Sequence, residues 1–170
     1  MAKNCDNTSV AVIVKDNEGR VLLIERKEYN PGWALPAGHQ DGDDAEKAAK
    51  KELLEEVGLT VTYLKLHLFI TLKNPCKREG GSFHRWSVFI AERWHGEVKE
   101  NEREVKSFLW ADKKKIFELA HKLESFMEKN KLSIDNLSDL VKTTNESESW
   151  KANLGLEPPM YVIFKELKII

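Results

Sequence analysis

The stretch LPAGHQDGDDAEKAAKKELLEEVGL, residues 35–59, decides the fold because it combines signals for both ends of a helix with a crowd of acidic side chains. Asp43 followed three residues later by Glu46 is a capping box, which favours a helix start. Gly58 is placed to end that helix in the left-handed conformation. Together these signals predict a helix from about residue 44 to about residue 57.

Three carboxylates, those of Glu52, Glu55 and Glu56, fall in the last turn of this predicted helix. The helix dipole is negative at that end, so each acid costs roughly 0.3–1 kcal/mol, and the acids also repel one another. No cation follows them to offset this cost. A divalent ion held by oxygen ligands, Mg²⁺ with several waters retained, removes it.

The helical period places two of these acids beside the core. At about 100° per residue, Ala49, Leu53 and Val57 form the apolar stripe, and Glu52 and Glu56 border it. The helix lysines lie on the far side, where they cannot neutralise this pair. A merely solvated acidic patch is the alternative, and the position beside the core speaks against it.

These residues resemble the signature helix of the Nudix hydrolases. Residues 52–59, ELLEEVGL, match that signature at every fixed position. Three places differ from it: Lys51 stands where arginine is usual, Asp43 where glutamate is usual, and the loop between Gly38 and Asp43 is one residue shorter. Lys51 can hold a glutamate by charge but lacks the two-pronged geometry of a guanidinium.

The resemblance implies a chemistry and a set of ligands. Nudix hydrolases cleave a nucleoside diphosphate linked to another group, by attack of water on a phosphorus atom. On that mapping Glu52 and Glu56 are the principal Mg²⁺ ligands, with Glu55 beside them, the backbone carbonyl of Ala37 as a further ligand, and Mn²⁺ as the alternative ion. Glu55 and Lys51 also count among the catalytic residues.

A general base is expected in the acid-rich connection before the last strand. Family members often place an acid six residues ahead of a tryptophan such as Trp110, and here that acid is Glu104. Glu102 is the second choice. Glu97 and Glu100 lie in the same connection, and a simply solvated loop is the alternative for each of these acids.

Five further residues are candidates for binding the substrate. His39 follows Gly38 and either approaches a phosphate or orders the loop. His84 and Arg85 are adjacent in a predicted strand, so their side chains point to opposite faces and only one of them is expected in the cleft. Trp33 and Phe83 either stack on a base or sugar or pack in the core.

The expected substrate is a small nucleotide, either an ADP-ribose-like nucleoside diphosphate derivative or a modified nucleoside triphosphate. Pro75, sixteen residues beyond Leu59, resembles the ADP-ribose-cleaving subgroup. Two rival functions remain open. One is a non-catalytic nucleotide-binding module that keeps the fold, and the other is an interaction protein that uses the acidic helix as a docking face.

Composition narrows the class of protein. A chain of 170 residues with a formal net charge of −1 offers no basic field for a nucleic-acid polymer. Neither a secretory leader nor a membrane span is apparent, so we expect a cytoplasmic protein whose oligomeric state stays open. Cys5 and Cys76 show neither a disulfide framework nor a zinc spacing, and we expect reduced thiols.

The remaining pattern predicts a mixed α/β fold, a Nudix-like α/β/α sandwich with a mixed sheet and a C-terminal helical extension. One domain, residues 1–170, is expected, with a core of about 8–118 and an extension of about 112–170. The chain should open on a hairpin. The predicted strands are 9–15, 20–26, 61–72, 83–94 and 105–110. The predicted features of the extension are a helix after Asp112, a second capped by Ser133, a polar linker over 143–149 and a last helix from Glu157.

Overall fold

The computed structural model describes residues 3–27, 29–99, 101 and 103–170. Its strands are β1 Thr8–Ile13, β2 Val21–Arg26, β3 Trp33–Ala34, β4 Ala37–His39, β5 Thr60–Leu72, β6 His84–His95 and β7 Val105–Ala111. Its helices are α1 Ala45–Val57, α2 Lys113–Asn130, a 3₁₀ turn Ile134–Asn136, α3 Leu137–Glu146, α4 Glu148–Lys151 and α5 Pro158–Glu166. Among the described residues, no helix is both long and apolar enough for a membrane crossing.

The strands form two sheets, which confirms the predicted mixed α/β fold. One sheet has the order β4-β1-β6-β5, and its β1 and β6 run parallel while its other neighbours run antiparallel. The other sheet has the order β3-β2-β7 and is antiparallel throughout. Helix α1 packs on the first sheet, and α2 packs against β7 of the second.

The opening hairpin holds only at its base. Strands β1 and β2 belong to different sheets, and they meet in an isolated bridge between Lys15 and Val21 and one hydrogen bond from Leu22 to Val14. The two predicted strands and the antiparallel turn between them are thus present, but the prediction that these strands form a hairpin is wrong beyond that turn. Strand β1 instead pairs with β4 and β6, and β2 pairs with β3 and β7.

Helix α1 has the predicted extent, with one correction at its start. The N-cap is Asp44, whose side chain accepts the Lys47 backbone N–H, while Asp43 forms an ion pair with the Lys47 ammonium group. Gly58 closes the helix with φ 72°, and its N–H donates to the Leu54 carbonyl. A side chain at this left-handed position would be strained, so glycine is the suitable residue.

The C-terminal extension is more helical than the sequence suggests. Ser133 caps only the short 3₁₀ turn, and Asn136 caps α3. The predicted linker over 143–149 is instead the end of α3 and the start of α4. The residues of α4 are polar because one face is exposed, but Trp150 is 1 % exposed and packs against Phe126 of α2.

The extension also adds a strand-like segment to the second sheet. Trp33 donates its N–H to the Gly155 carbonyl, and Glu157 donates its N–H to the Trp33 carbonyl. The indole N–H of Trp150 donates to the Pro31 carbonyl at 2.6 Å. Residues 155–157 therefore lie beside β3, next to the loop that precedes it, and Glu157 comes to lie close to the end of β2.

The docking of this segment leaves no room beside Gly155. A Cβ atom there would lie 2.4 Å from the Leu119 carbonyl oxygen and 3.0 Å from the Leu123 nitrogen, both backbone atoms of α2. We expect Gly155→Ala to lower the free energy of unfolding by about 1–3 kcal/mol, the usual cost of overpacking. Urea unfolding followed by circular dichroism measures this loss.

The exposed neighbour Asn153 provides the control. Asn153→Ala alters the same turn without crowding α2, so its unfolding midpoint should stay within experimental error of the wild type. Equal stability of the Gly155→Ala and Asn153→Ala proteins would contradict the tight packing of residues 155–157.

Candidate active site

Helix α1 turns two glutamates toward the interior, as its period predicts. Glu56 is 1 % exposed, Glu52 is half-buried and Glu55 is exposed. No basic residue lies in the last turn of the helix. Two carboxylates are thus held near the negative end of a helix dipole, in surroundings that solvate them poorly.

Arg26, at the end of β2, holds the buried Glu56. Its Nη1 donates to Glu56 Oε1 at 3.2 Å, and its Nη2 donates to the Ala37 carbonyl at 3.0 Å. The Ala37 backbone N–H donates to the other carboxylate oxygen of Glu56 at 2.8 Å. The three groups form a closed set of bonds that fixes the Glu56 carboxylate against β4.

A second buried carboxylate shares the same guanidinium group. Arg26 Nε lies 3.3 Å from Oε2 of Glu157, which is 2 % exposed and belongs to the C-terminal extension. This contact is an ion pair, and Glu157 Oε2 accepts no hydrogen bond in the described structure. One buried cation is therefore shared by two buried anions.

Burial raises the pKa of three acids around Arg26. Burial, opposed by the charge of Arg26, raises the pKa of Glu56 to about 8, with repulsion from Glu52 and Glu104 adding to the rise. Burial raises the pKa of Glu52 to about 7, and Glu104 and Glu55 add to it. Burial also raises the pKa of Glu157 to about 7, again against the Arg26 charge.

Glu104 completes an acidic cluster with two of these residues. Ligand atoms of Glu52, Glu56 and Glu104 all lie within 4.8 Å of one another. Glu104 is exposed and lies in the turn directly before β7, which begins at Val105 as predicted. Its backbone is still fixed, since its N–H donates to the Asn101 carbonyl and its carbonyl accepts from Lys27.

Gly38 makes room for one of the acids. A Cβ atom at this position would lie 2.1 Å from the Glu52 carboxyl carbon. The loop before α1 therefore passes directly over the Glu52 carboxylate, and any side chain at position 38 would displace that carboxylate. Three converging carboxylates suit a hard divalent cation, which prefers oxygen ligands and neutralises their repulsion.

The cluster lies in a cleft of about 400 Å³ with a basic rim. Acids line its floor and cations its edge, an arrangement that can accept the phosphates of a ligand above bound metal. Asp41 draws two of the cations, Lys3 and Arg78, into ion pairs. The basic residues on the edge of the cleft are Lys3, Lys27, Lys51, Lys77, Arg78 and Arg103.

One departure from the Nudix signature, Lys51 in place of arginine, has a structural counterpart. Lys51 lines the cleft, but no ion pair among the described residues involves it, so it does not pair with Glu55. Arg26 instead provides the guanidinium that holds a signature glutamate. Sequence reasoning missed Arg26 because it lies far from the signature in the chain. Its only signal was an arginine directly after the apolar run of β2.

The predicted substrate-binding residues separate into two groups. His39 lines the cleft, whereas His84 is 1 % exposed and lies beneath it. Arg85, Phe83 and Trp33 do not line the cleft. Alternation along β6 holds as expected, with His84 inward and Arg85 exposed on the other face.

Of the acids proposed as general base, Glu104 alone among the described ones lines the cleft. Glu97 is exposed and lies elsewhere. Glu100 and Glu102 lie outside the described residues, so the choice between Glu104 and Glu102 stays a prediction.

The family model described as NUDIX domain matches residues 6–131. The chain belongs to the Nudix family. The crystal structure of the MutT NUDIX hydrolase from Burkholderia pseudomallei has a TM-score of 0.55 at 22 % identity, covering 64 % of this chain and 84 % of that chain. The mutator MutT protein from Bacillus halodurans has a TM-score of 0.53 at 24 % identity, covering 65 % and 71 %. These likenesses confirm the fold.

Curated relatives match shorter segments. A Bacillus subtilis (strain 168) protein, provisionally named an 8-oxo-dGTP diphosphatase, is 48 % identical over 48 residues, 28 % of this chain and 32 % of that protein. The RNA pyrophosphohydrolase of Caulobacter vibrioides (strain NA1000 / CB15N) is 34 % identical over 109 residues, 57 % of this chain and 63 % of that protein. The chain thus matches from a third to under two thirds of these relatives' length.

The raised pKa values predict how stability depends on pH. Folded Glu52, Glu56 and Glu157 hold protons up to about pH 7 or 8, whereas unfolded glutamates release them near 4.5. The folded state therefore binds more protons, and its free energy of unfolding should fall as pH rises. Burial lowers the pKa of His39 to about 4, which acts oppositely but only below its ordinary value of 6.5. The fall should therefore appear from pH 6.5 to about 8.

Urea unfolding without added Mg²⁺, at several values across this pH range, measures the effect. Glu52→Gln should reduce the slope because it removes one titrating carboxyl, while Asn153→Ala, which removes no ionisable group, should keep it. A stability that rises over this range would show that the acids are not held protonated in the metal-free fold.

Proposed function

We propose that the protein is a Mg²⁺-dependent hydrolase that cleaves a phosphoric anhydride bond in a small nucleotide. The observation that carries this proposal is the convergence of Glu52, Glu56 and Glu104 on the floor of a cleft with a basic rim. In the reaction, water attacks one phosphorus atom, the bridging P–O bond breaks, and the bridging oxygen leaves with the other phosphate.

The residues present fit a divalent cation. We assign Glu52 and Glu56 as its main ligands, with Glu55 and the Ala37 carbonyl as further ones. When bound, Mg²⁺ would neutralise charge on phosphate oxygens and acidify a water molecule. The poor solvation that raises the pKa of Glu52 and Glu56 is the cost that such an ion would remove.

The protein's own groups supply the rest of the chemistry. Arg26 and the Ala37 N–H fix the carboxylate of Glu56, so the remaining lone pairs of that carboxylate have a fixed orientation. Lys51 stands on the edge of the cleft, where its ammonium group can meet a phosphate oxygen. Glu104 accepts the proton of the attacking water, since its backbone is fixed and its carboxylate is exposed enough to return that proton to solvent.

The substrate class follows from charge and size. A cleft of about 400 Å³ matches a nucleoside diphosphate derivative, ADP-ribose-like, or a modified nucleoside triphosphate. One relative is provisionally named for 8-oxo-dGTP, which agrees with the triphosphate alternative. The RNA pyrophosphohydrolase relatives point to a polymer end, but a net charge of −1 offers little attraction for a nucleic-acid chain.

A second candidate function is a nucleotide-binding module without catalysis. One observation favours it: Lys51, which stands in the place of the family's arginine, has no ion pair to a glutamate among the described residues. Intact Glu52, Glu55 and Glu56 favour catalysis instead. Both functions predict nucleotide binding, but only the first predicts turnover.

A panel of nucleotides tests the proposal. ADP-ribose, 8-oxo-dGTP, unmodified dGTP and a short RNA with a 5′-triphosphate are incubated with the protein and Mg²⁺, and released monophosphate or pyrophosphate is measured. We expect turnover of at least one small nucleotide, its loss in chelator, and its loss in Glu56→Gln. Binding without turnover by the wild type would favour the second function, and turnover of the RNA alone would overturn the substrate class.

Glu104→Gln tests the general base. Loss of a positioned base costs about 10²–10⁴ in rate, so kcat should fall by that order while the Mg²⁺ concentration for half-maximal rate stays unchanged. Glu97→Gln, an exposed acid outside the cleft, should stay within a few-fold of the wild type.

Two other outcomes reassign the role. A rate restored by high Mg²⁺ would identify Glu104 as a metal ligand rather than a base, as its place in the acidic cluster also permits. A large defect in Glu102→Gln with an active Glu104→Gln would move the base to Glu102.

A further inference from the structure

A second cluster of metal-ligating side chains lies at one end of the four-stranded sheet. Cys5 precedes β1, His39 ends β4, Cys76 follows β5 and His84 begins β6. Strands β1 and β6 start where their antiparallel neighbours β4 and β5 finish, so these four positions lie at the same end of the sheet. Sulfur and ring-nitrogen atoms of all four residues lie within 4.8 Å of one another.

The distances resemble those of a tetrahedral site. Cys5 Sγ lies 3.2 Å from His84 Nε2 and 3.5 Å from His39 Nε2. Zinc bonds of about 2.3 Å to sulfur and about 2.0 Å to nitrogen, at tetrahedral angles, place neighbouring ligands about 3.5 Å apart. The two distances from Cys5 to the histidines are thus close to those of a zinc site, and Cys76 Sγ lies within 4.8 Å of the same atoms.

The outer partners of His84 suit metal ligation. Its Nδ1 lies 2.9 Å from the Asn74 carbonyl, and in the tautomer that donates this bond Nε2 carries a free lone pair facing Cys5. Asn74 is 3 % exposed and is itself held by the Trp86 indole N–H. Such a second partner commonly orients a histidine ligand.

The two sulfurs are also prepared as ligands. The Asn7 backbone N–H donates to Cys5 Sγ and the Arg78 backbone N–H donates to Cys76 Sγ, each at 3.3 Å. Such donors can stabilise a metal-bound thiolate. Burial nevertheless raises the pKa of the Cys76 thiol to about 11, so a metal ion would have to displace its proton. Gly81 leaves space for the Cys76 sulfur, because a Cβ atom at position 81 would lie 2.3 Å from Cys76 Sγ.

We propose that Cys5, His39, Cys76 and His84 form a structural zinc site. Four protein ligands leave no open position for a substrate, which is the mark of a structural rather than a catalytic ion. Thiolate and imidazole ligands select Zn²⁺ over Mg²⁺, so this site is separate from the acidic cluster. Binding releases two thiol protons to solvent, and the resulting zinc dithiolate carries no net charge.

The site ties together segments that form one wall of the cleft. Cys5 also donates its backbone N–H to the Glu79 carbonyl, so the segment before β1 already contacts the loop over 76–81. That loop carries Lys77 and Arg78 of the basic rim. Zinc would therefore hold the rim in place while taking no part in the reaction.

The test uses the full chain and zinc itself. Protein purified without chelator is dialysed, and its metal content is measured by elemental analysis. The zinc is then replaced by Co²⁺ for absorption spectroscopy. We expect one zinc per chain, and for cobalt the intense visible bands of a tetrahedral ion with a sulfur-to-metal charge-transfer band in the near ultraviolet.

Variants assign the ligands. Cys5→Ser and Cys76→Ser should each lose the cobalt bands and lower zinc content at least severalfold, while Glu52→Gln, in the acidic cluster, should keep both. Circular dichroism shows whether each variant folds, and the wild-type spectrum gives an answer even where one does not. Absence of zinc and of tetrahedral cobalt bands in the reduced wild type would overturn the proposal. So would a mass two units lower after air oxidation together with no metal uptake, since it would identify a disulfide pair instead.

Discussion

The guanidinium group of Arg26 is the interaction on which the site depends. It joins the end of β2 to α1 through Glu56, to β4 through the Ala37 carbonyl, and to the C-terminal extension through Glu157. Removing one partner of a buried ion pair typically costs about 3–5 kcal/mol, because the other charge stays buried and unpaired. Lysine would be a poor replacement, since its ammonium group has one nitrogen atom and lacks the planar fork through which Nη1 and Nη2 of Arg26 reach Glu56 and the Ala37 carbonyl.

The same contact explains why the acids of the cleft are poised for a cation. Arg26 carries one positive charge, and Glu56 and Glu157 would carry two negative charges if both were ionised. Glu52 and Glu104 add to this excess. The structure thus places three carboxyl groups with little access to solvent, those of Glu52, Glu56 and Glu157, around one guanidinium group, and this arrangement distinguishes the site from a solvated acidic surface.

Features set by local physics could be predicted from the sequence. The hydrophobic periodicity of α1 and its termination at Gly58 depend on residues that are close in the chain, and the helix has the predicted extent. The predicted N-cap was wrong by one residue, because Asp43 and Asp44 are both suitable N-cap residues. In the structure Asp44 caps the helix, and Asp43 forms an ion pair with Lys47. The prediction of a linker over 143–149 was wrong, since a short helix with one buried tryptophan shows little apolar periodicity.

Features that depend on contacts distant in the chain could not be predicted. Nothing near Cys5 shows that β1 would pair with both β4 and β6, and that pairing is what brings His39 and His84 to it. The separation of β1 and β2 into two sheets likewise depends on competition among strands far apart. Arg26 belongs to this group, since its partners come from three other parts of the fold.

The position of Glu157 has a consequence for the order of folding. Arg26 lies near the start of the chain and Glu157 near its end, so the ion pair closes a very long loop, and such contacts form slowly and late. During synthesis the sheets and α1 emerge before this partner exists. The nascent protein therefore holds an arginine with an incomplete set of partners until the segment that carries Glu157 is synthesised and completes the support of the acidic cleft.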